Sequence, residues 1–291
     1  MTYFFQQILN ALQLGSIYAL IALGYTMVYG ILTMINFAHG DLFMIGAFFC
    51  FLAATFLGMP FIPTLLISMA GVALLGVAIE RVAYRPLRQA PRVSAIITAL
   101  GVGLFLENFT LVFSPYPQAV PQLISNVTWE IGGISISSLQ IIIILLSIGL
   151  MILLDLIVRR TMVGMAMRAI SWDKSIVPLM GVPLDLIISI TFAIGTSLGA
   201  AAGTMYSLAF PVIDPYMGIM VGWKAFISAV VGGIGNIRGA MIGGFILGGV
   251  EIMVAAFMPS TYRDFVAFAL LLVLLIFRPH GILGKPRPQK V

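Results

Sequence analysis

Charge is the scarcest property of this 291-residue chain. Only 9% of its residues are Asp, Glu, Lys or Arg, against roughly 25% in a soluble domain. So few ionised groups cannot cover a water-exposed surface, which excludes cytosolic enzymes and nucleic-acid binders. Cysteine is nearly absent too. Cys50 is the single thiol and lies in an apolar run, so disulfide-built secreted modules are excluded. The two histidines, His39 and His280, are far apart, and no spacing of His, Asp and Glu suggests a metal site or a proton relay. The only Gly-Lys pair, Gly284-Lys285, is followed by Pro286. The phosphate loop G-x-x-x-x-G-K-[ST] is therefore missing, and no cofactor is expected.

What the chain does have is apolar length. Hydrophobic residues make up 61% of it, enough for about nine helices of some 20 apolar residues each. Candidate spans lie at 8–32, 42–58, 62–80, 94–113, 139–158, 185–208, 217–234, 241–257 and 264–278. The first reads as a retained span and not a removable signal peptide. The expectation is one all-α polytopic membrane bundle over 1–291, with about nine transmembrane helices and a range of eight to ten.

Alternating nine spans places thirteen of the fifteen cations on one side, among them Arg81, Arg85, Arg88, Arg92, Arg159, Arg160, Arg168, Lys174 and Arg238. The positive-inside bias makes that side cytoplasmic. The N-terminus is then expected outside and the C-terminus inside. An external loop at 114–138 carries Pro115, Pro117 and Pro121, with Tyr116 and Trp129 suited to a membrane interface. A cytoplasmic loop spans 159–184. Within it Val163, Met167, Ile170 and Val177 recur at helical spacing, with Arg168, Asp173 and Ser175 off that stripe. This predicts a short amphipathic helix stopping near Val177, before Pro178, with Gly181 permitting a turn. It can dock into another protein's groove, lie on lipid, or pack on its own bundle.

Three ionisable residues fall inside apolar spans: Glu107, Lys224 and Glu251. Such groups mark ion or substrate sites, unless they pair with one another or with backbone. Two glycine-rich reversals also stand out. One contains Asn36, Phe37, His39 and Asp41; the other contains Gly235, Asn236 and Gly239. Each reads as a pathway element built from interrupted helices, or as a capped, solvated turn in which Asp41 favours the start of the second span. Gly195, Gly199 and Gly203, like Gly235, Gly239 and Gly243, repeat every four residues, a spacing that lets helices pack closely.

From about Gln6 to Gly284 the chain resembles the LivH-type permease subunits of bacterial branched-chain amino acid ABC importers. The likeness rests on Leu14 to Gly30, Ile35-Asn36-Phe37-Ala38-His39-Gly40-Asp41, and Glu80-Arg81-Val82-Ala83-Tyr84-Arg85-Pro86-Leu87-Arg88. It continues in Arg168-Ala169 with Asp173, Lys224-Ala225-Phe226, Gly232 to Ala240, and Arg278 to Gly284. Arg238 stands where many relatives have Pro, and Ser171-Trp172 where small or acidic residues are usual. The resemblance implies an inner-membrane subunit paired with a second related permease, two ABC ATPase subunits and a periplasmic amino-acid-binding protein. It implies that 161–182 couples to an ATPase, with Gly164, Arg168, Ala169, Asp173 and Gly181 as the coupling residues. It places Asn36, Phe37, His39, Asp41, Lys224 and Asn236 as candidates for the path, with transport by alternating access. Relatives carrying urea or short amides share much of the pattern. An ion-coupled carrier using Glu107 or Glu251, or a passive channel, are the readings from other classes.

Overall fold

The computed structural model describes residues 2–284 apart from Gln89, Ser175 and the side chain of Arg92. The cationic tail residues Lys285, Arg287 and Lys290, and the off-stripe Ser175, lie outside the described residues. Ten α-helices carry the fold: α1 Thr2–Leu32, α2 His39–Phe56, α3 Phe61–Ile79, α4 Arg92–Phe113, α5 Ser138–Arg160, α6 Met162–Trp172, α7 Leu184–Ala209, α8 Met217–Gly232, α9 Ile237–Phe257 and α10 Tyr262–Phe277. Among the described residues seven helices are long and apolar enough to cross a membrane; Met217–Gly232 is apolar but shorter. The protein is thus an all-α polytopic bundle.

At the centre stands α1. In its most apolar stretch 89% of residues are buried, against 28% for each of α3, α4 and α5. Small residues permit this: a Cβ at Gly15 would crowd the Phe245 backbone of α9, and one at Gly24 the Gly195 carbonyl of α7. Helices α7, α8 and α9 pack around it. Small residues set the closest approaches. A Cβ at Gly203 would overlap the Phe43 carbonyl, one at Gly243 the Ser228 carbonyl, and one at Gly239 the Gly232 carbonyl. Gly195 faces the Gly24 carbonyl and Gly199 the His39 ring.

One end of the bundle carries α6. Thr161 caps this helix by accepting from the Gly164 N–H at 3.0 Å, and Gly164 lies so close to α5 that a Cβ would strike the Ile157 and Val158 carbonyls. Met167, Ile170 and Val177 are buried, as the stripe requires. The helix stops at Trp172, five residues short of the expected Val177. Asp173 is extended there, and beyond it Lys174 Nζ donates to the Leu32 carbonyl at the end of α1, 2.7 Å away. That lysine supplies a donor that the C-terminus of α1 lacks. A 3-10 turn over Val177–Met180 follows and ends at Gly181 with φ +78°, where a Cβ would be strained.

At the other end, loop 114–138 forms a hairpin of β2 Thr128–Ile131 with β3 Ile134–Ser137. A two-residue strand in the same loop, β1 Gln118–Ala119, pairs antiparallel with β4 Val212–Ile213, which leads into α8. Ser137 and Gln140 make a reciprocal capping box at the start of α5.

The glycine-rich reversal between α8 and α9 is a tight turn. Gly233 and Gly235 have φ of +108° and +92°, and Asn236 caps α9 by accepting from the Gly239 N–H at 3.3 Å. The Asn236 amide also donates to the Leu283 carbonyl at 2.8 Å. Ile282 and Leu283 in turn donate N–H bonds to the Val231 and Gly232 carbonyls. The segment after α10 therefore satisfies the last carbonyls of α8, which would otherwise be orphaned.

Candidate translocation cleft

Between α1 and α2 the backbone is irregular from Thr33 to Ala38, with Asn36 and Ala38 buried and Thr33, Met34, Ile35 and Phe37 partly so. Asn36 and His39 are 3% and 0% exposed, which overturns the reading of this reversal as a capped turn in water. His39 lies at the depth of Gly24 and Gly199, well inside α1 and α7, so the chain leaves α1, turns back into the bundle, and starts α2 there. Irregular backbone at such depth is stable only where protein surrounds it or a cavity lies beside it. Thr33, with φ +57°, takes a left-handed conformation that is costly for a β-branched residue. Tyr84 Oη, from a π-helical turn over Glu80–Tyr84, donates to Asn36 Oδ1 at 2.6 Å and holds the segment from the side.

A second helix also begins inside the bundle. After β4 the chain starts α8 at Met217, against the start of α2: a Cβ at Gly218 would lie 2.6 Å from the Gly40 carbonyl oxygen, and one at Gly222 2.9 Å from Gly40 Cα. Two helix N-termini thus converge, each carrying the partial positive charge of its helix dipole, while the His39, Asp41, Met217 and Ile219 N–H groups bond to preceding carbonyls. Asp41 sits in the first turn of α2, and its carboxyl is 3.0 Å from where a Gly218 Cβ would stand. From sequence the reversals near 33–41 and 234–241 both read as pathway elements. In the structure the start of α8 is what meets the start of α2. Gly218 and Gly222 were not singled out from sequence, although their four-residue spacing is the signal that marks them.

A cavity of about 200 Å³ opens beside these two helix starts, lined by Tyr25, Phe37, Asp41, Glu107 and Trp223 with Gly103 of α4. The Asp41 and Glu107 carboxyl groups face each other within hydrogen-bonding reach. Aromatic rings form the opposite wall: Phe37 lies 5.5 Å from Trp223 and 6.0 Å from Phe226, centroid to centroid, and Tyr25 lies 4.8 Å from His39. Apolar faces, two helix dipoles and two carboxyls together can receive a small solute with an apolar body and charged ends.

The candidate path residues therefore separate. Phe37 and Asp41 line the cavity. Asn36 and His39 lie in the wall behind it, bonded to Tyr84 and packed on Tyr25. Lys224 is held elsewhere: its Nζ is 2.7 Å from Glu251 Oε1 and 2.9 Å from Asp264 Oδ1, and Tyr18 Oη donates to Glu251 Oε2 at 2.7 Å. This network ties α8 to α1, α9 and α10, the pairing that the sequence left open. Asn236 is the cap of α9 and does not line the cavity.

At the α6 end, the Arg168 guanidinium donates to the Val158 carbonyl and so satisfies the C-terminus of α5. Ala169 is exposed and Gly164 buried. Around them Met162, Trp172, Leu179 and Met180 are exposed, Trp172 by 78% and Leu179 by 85%.

A family model described as the branched-chain amino acid transport system permease component matches residues 7–275. The high-affinity branched-chain amino acid transport system permease protein LivH of Escherichia coli (strain K12) is 43% identical over 303 aligned positions, covering 99% of this chain and 98% of that protein. The corresponding permease protein BraD of Pseudomonas aeruginosa is 41% identical, with the same coverage. A probable LivH protein of Methanocaldococcus jannaschii is 25% identical over 94% of this chain and 91% of its own length. A match of this extent, on a bundle with an interrupted-helix cleft at its centre, shows that the chain belongs to the branched-chain amino acid transport permease family.

Proposed function

We propose that this chain is a permease subunit of a binding-protein-dependent ABC importer in a bacterial inner membrane, and that it carries leucine, isoleucine and valine. Nine helices span the bilayer in this reading, the seven of membrane length together with α8 and α10, with the N-terminus outside and the C-terminus inside. A second, related permease completes the path at the cleft lined by Phe37, Asp41 and Trp223. Loop 114–138 receives the periplasmic binding protein, and residues 159–184 seat on one of two ATPase subunits.

The observation that carries this reading is the α6 elbow. Its inner stripe of Met167, Ile170 and Val177 is buried on the bundle, while Met162, Trp172, Leu179 and Met180 face outward. Large apolar side chains left exposed on a segment that also carries Arg168 and Asp173 mark an interaction site. Transmission then follows from geometry. Gly164 and Arg168 fix α6 to the end of α5, and Lys174 fixes the following turn to the end of α1. A movement of the ATPases is passed to the central helix, coupling two global states. Ion coupling through Glu251 has less support, because Lys224 and Tyr18 already engage its carboxylate.

The test is uptake by proteoliposomes containing the whole complex, with ATP inside or with an imposed ion gradient, and with leucine, isoleucine, valine and urea as competitors. ATP-driven leucine uptake that needs the binding protein is expected. Arg168→Ala at normal complex yield should retain ATP hydrolysis and lose most transport. Gradient-driven accumulation by this chain alone would overturn the proposal.

A further inference from the structure

Below the interrupted segment lies a second cavity, of about 530 Å³, which the cleft does not include. Leu32, Met34 and Ile188 form its apolar wall, and Arg85, Arg88, Lys174 and Asp185 its charged rim. The rim is pre-assembled. Arg88 binds the buried Glu80 carboxylate and lies 2.5 Å from Asp185 Oδ1, Arg85 binds Asp185 Oδ2, and Ser189 Oγ donates to Glu80 at 2.7 Å. Capacity remains at this rim. The Arg85 and Asp185 side chains are 51% and 50% exposed, a guanidinium has five donors, and a carboxylate accepts about four hydrogen bonds.

We infer that this cavity binds the zwitterion of a small apolar amino acid from the cytoplasmic side, and that its occupancy slows import. The side of the membrane and the solute class rest on the function proposed above. The chemistry comes from the rim and wall. A guest carboxylate meets the guanidinium of Arg85 and the ammonium of Lys174, a guest ammonium meets Asp185, and the aliphatic side chain lies on Leu32, Met34 and Ile188. The volume is within the roughly 300–1,000 Å³ of small-ligand sites. An anionic lipid headgroup shares the carboxylate's chemistry, but Asp185 in the middle of the rim disfavours a pure anion.

Occupancy reaches the cleft through one short stretch of chain. Met34 lines this cavity and Phe37 lines the cleft, so the 34–37 segment is the partition between them. Tyr84, whose turn leads directly into Arg85, is bonded to Asn36 in that partition. A guest braced between Met34 and the Arg85–Asp185 pair holds the partition in its present position. A partition that cannot move cannot complete the transport cycle.

The test uses the whole complex in phosphatidylcholine nanodiscs without binding protein, with labelled leucine as the probe. Saturable binding is expected. Asp185→Asn should weaken it about tenfold, the loss of one charge-assisted hydrogen bond. Ile188→Phe, which fills the wall and leaves the ion pairs intact, should weaken it as much. Isovalerate, which lacks the ammonium, and isoamylamine, which lacks the carboxylate, should each compete about tenfold less well. In proteoliposomes, millimolar luminal leucine should slow ATP-driven uptake, and both variants should relieve this inhibition relative to their own rates with an empty lumen. Wild-type affinity in both variants would overturn the inference. So would equal competition by isovalerate, or a dependence on phosphatidylglycerol in place of leucine. Failure of uptake with an empty lumen would instead count against the proposed function and would leave the nanodisc binding result to decide this one.

Discussion

Tyr84 Oη donates a 2.6 Å hydrogen bond to Asn36 Oδ1, and both side chains are buried. The bond joins the π-helical turn after α3 to the interrupted segment between α1 and α2. The Asn36 amide nitrogen has no hydrogen-bond partner among the described residues, so the bond to Oδ1 is the one that fixes how the side chain lies.

Tyr84→Phe leaves Asn36 with neither end satisfied, at a cost of about 1–3 kcal/mol. The melting temperature of the complex is expected to fall by a few degrees. Amide exchange should rise in residues 33–38 and stay constant in α9. Uniform exchange across both regions would show that Tyr84 does not hold the segment.

Gly40→Ala is expected to force apart the starts of α2 and α8, because its Cβ would overlap the Gly218 carbonyl and lie 2.7 Å from Gly222 Cα. Uptake should drop at least as far as membrane yield. Gly249→Ala is the control: nothing lies within 4 Å of its Cβ position, and it should behave as wild type in both assays.

Lys224→Met leaves the Glu251 carboxylate buried with Tyr18 as its remaining hydrogen-bond partner, a change of about 3–5 kcal/mol. Complex yield should fall sharply. Adding Glu251→Gln to the same chain removes the stranded charge and should restore most of the yield and the transport. A double variant that is stable but inactive would mean that Lys224 contacts the solute.

Trp172→Ala combined with Leu179→Ser alters two side chains that face outward from the elbow. The isolated permease should melt within a degree of wild type, while the ATPase subunits co-purify poorly. Retention of the ATPases at wild-type stoichiometry would place their contact elsewhere.

Much of the bundle was legible because long apolar runs bounded by Pro, Gly and charge leave few alternatives to a helix. The span expected over 139–158 is helix Ser138–Arg160, and that over 185–208 is Leu184–Ala209. The amphipathic helix was legible in its face but not in its length. Just past its stop Lys174 bonds to Leu32, 142 residues away, a contact that no local pattern announces. The cleft was half legible. Asn36, His39 and Asp41 announced an interruption, but polar residues between apolar runs look the same whether water or protein surrounds them. The facing start of α8 was hidden because 217–234 reads as one ordinary span. Only the approach of Gly218 and Gly222 to Gly40 reveals that it begins inside the bundle. The pairing of Lys224 with Glu251 and Asp264 was equally beyond sequence, since it joins three helices whose mutual rotation is fixed by packing.

The two-residue ladder between Gln118–Ala119 and Val212–Ile213 gives the proline-rich loop a direct mechanical connection to the bundle interior. Ile213 is wholly buried and stands four residues before the first residue of α8. In the importer proposed above, a protein that lands on this loop stands one strand pair and four residues of chain from the start of α8, the drawstring by which its arrival would reach Gly218.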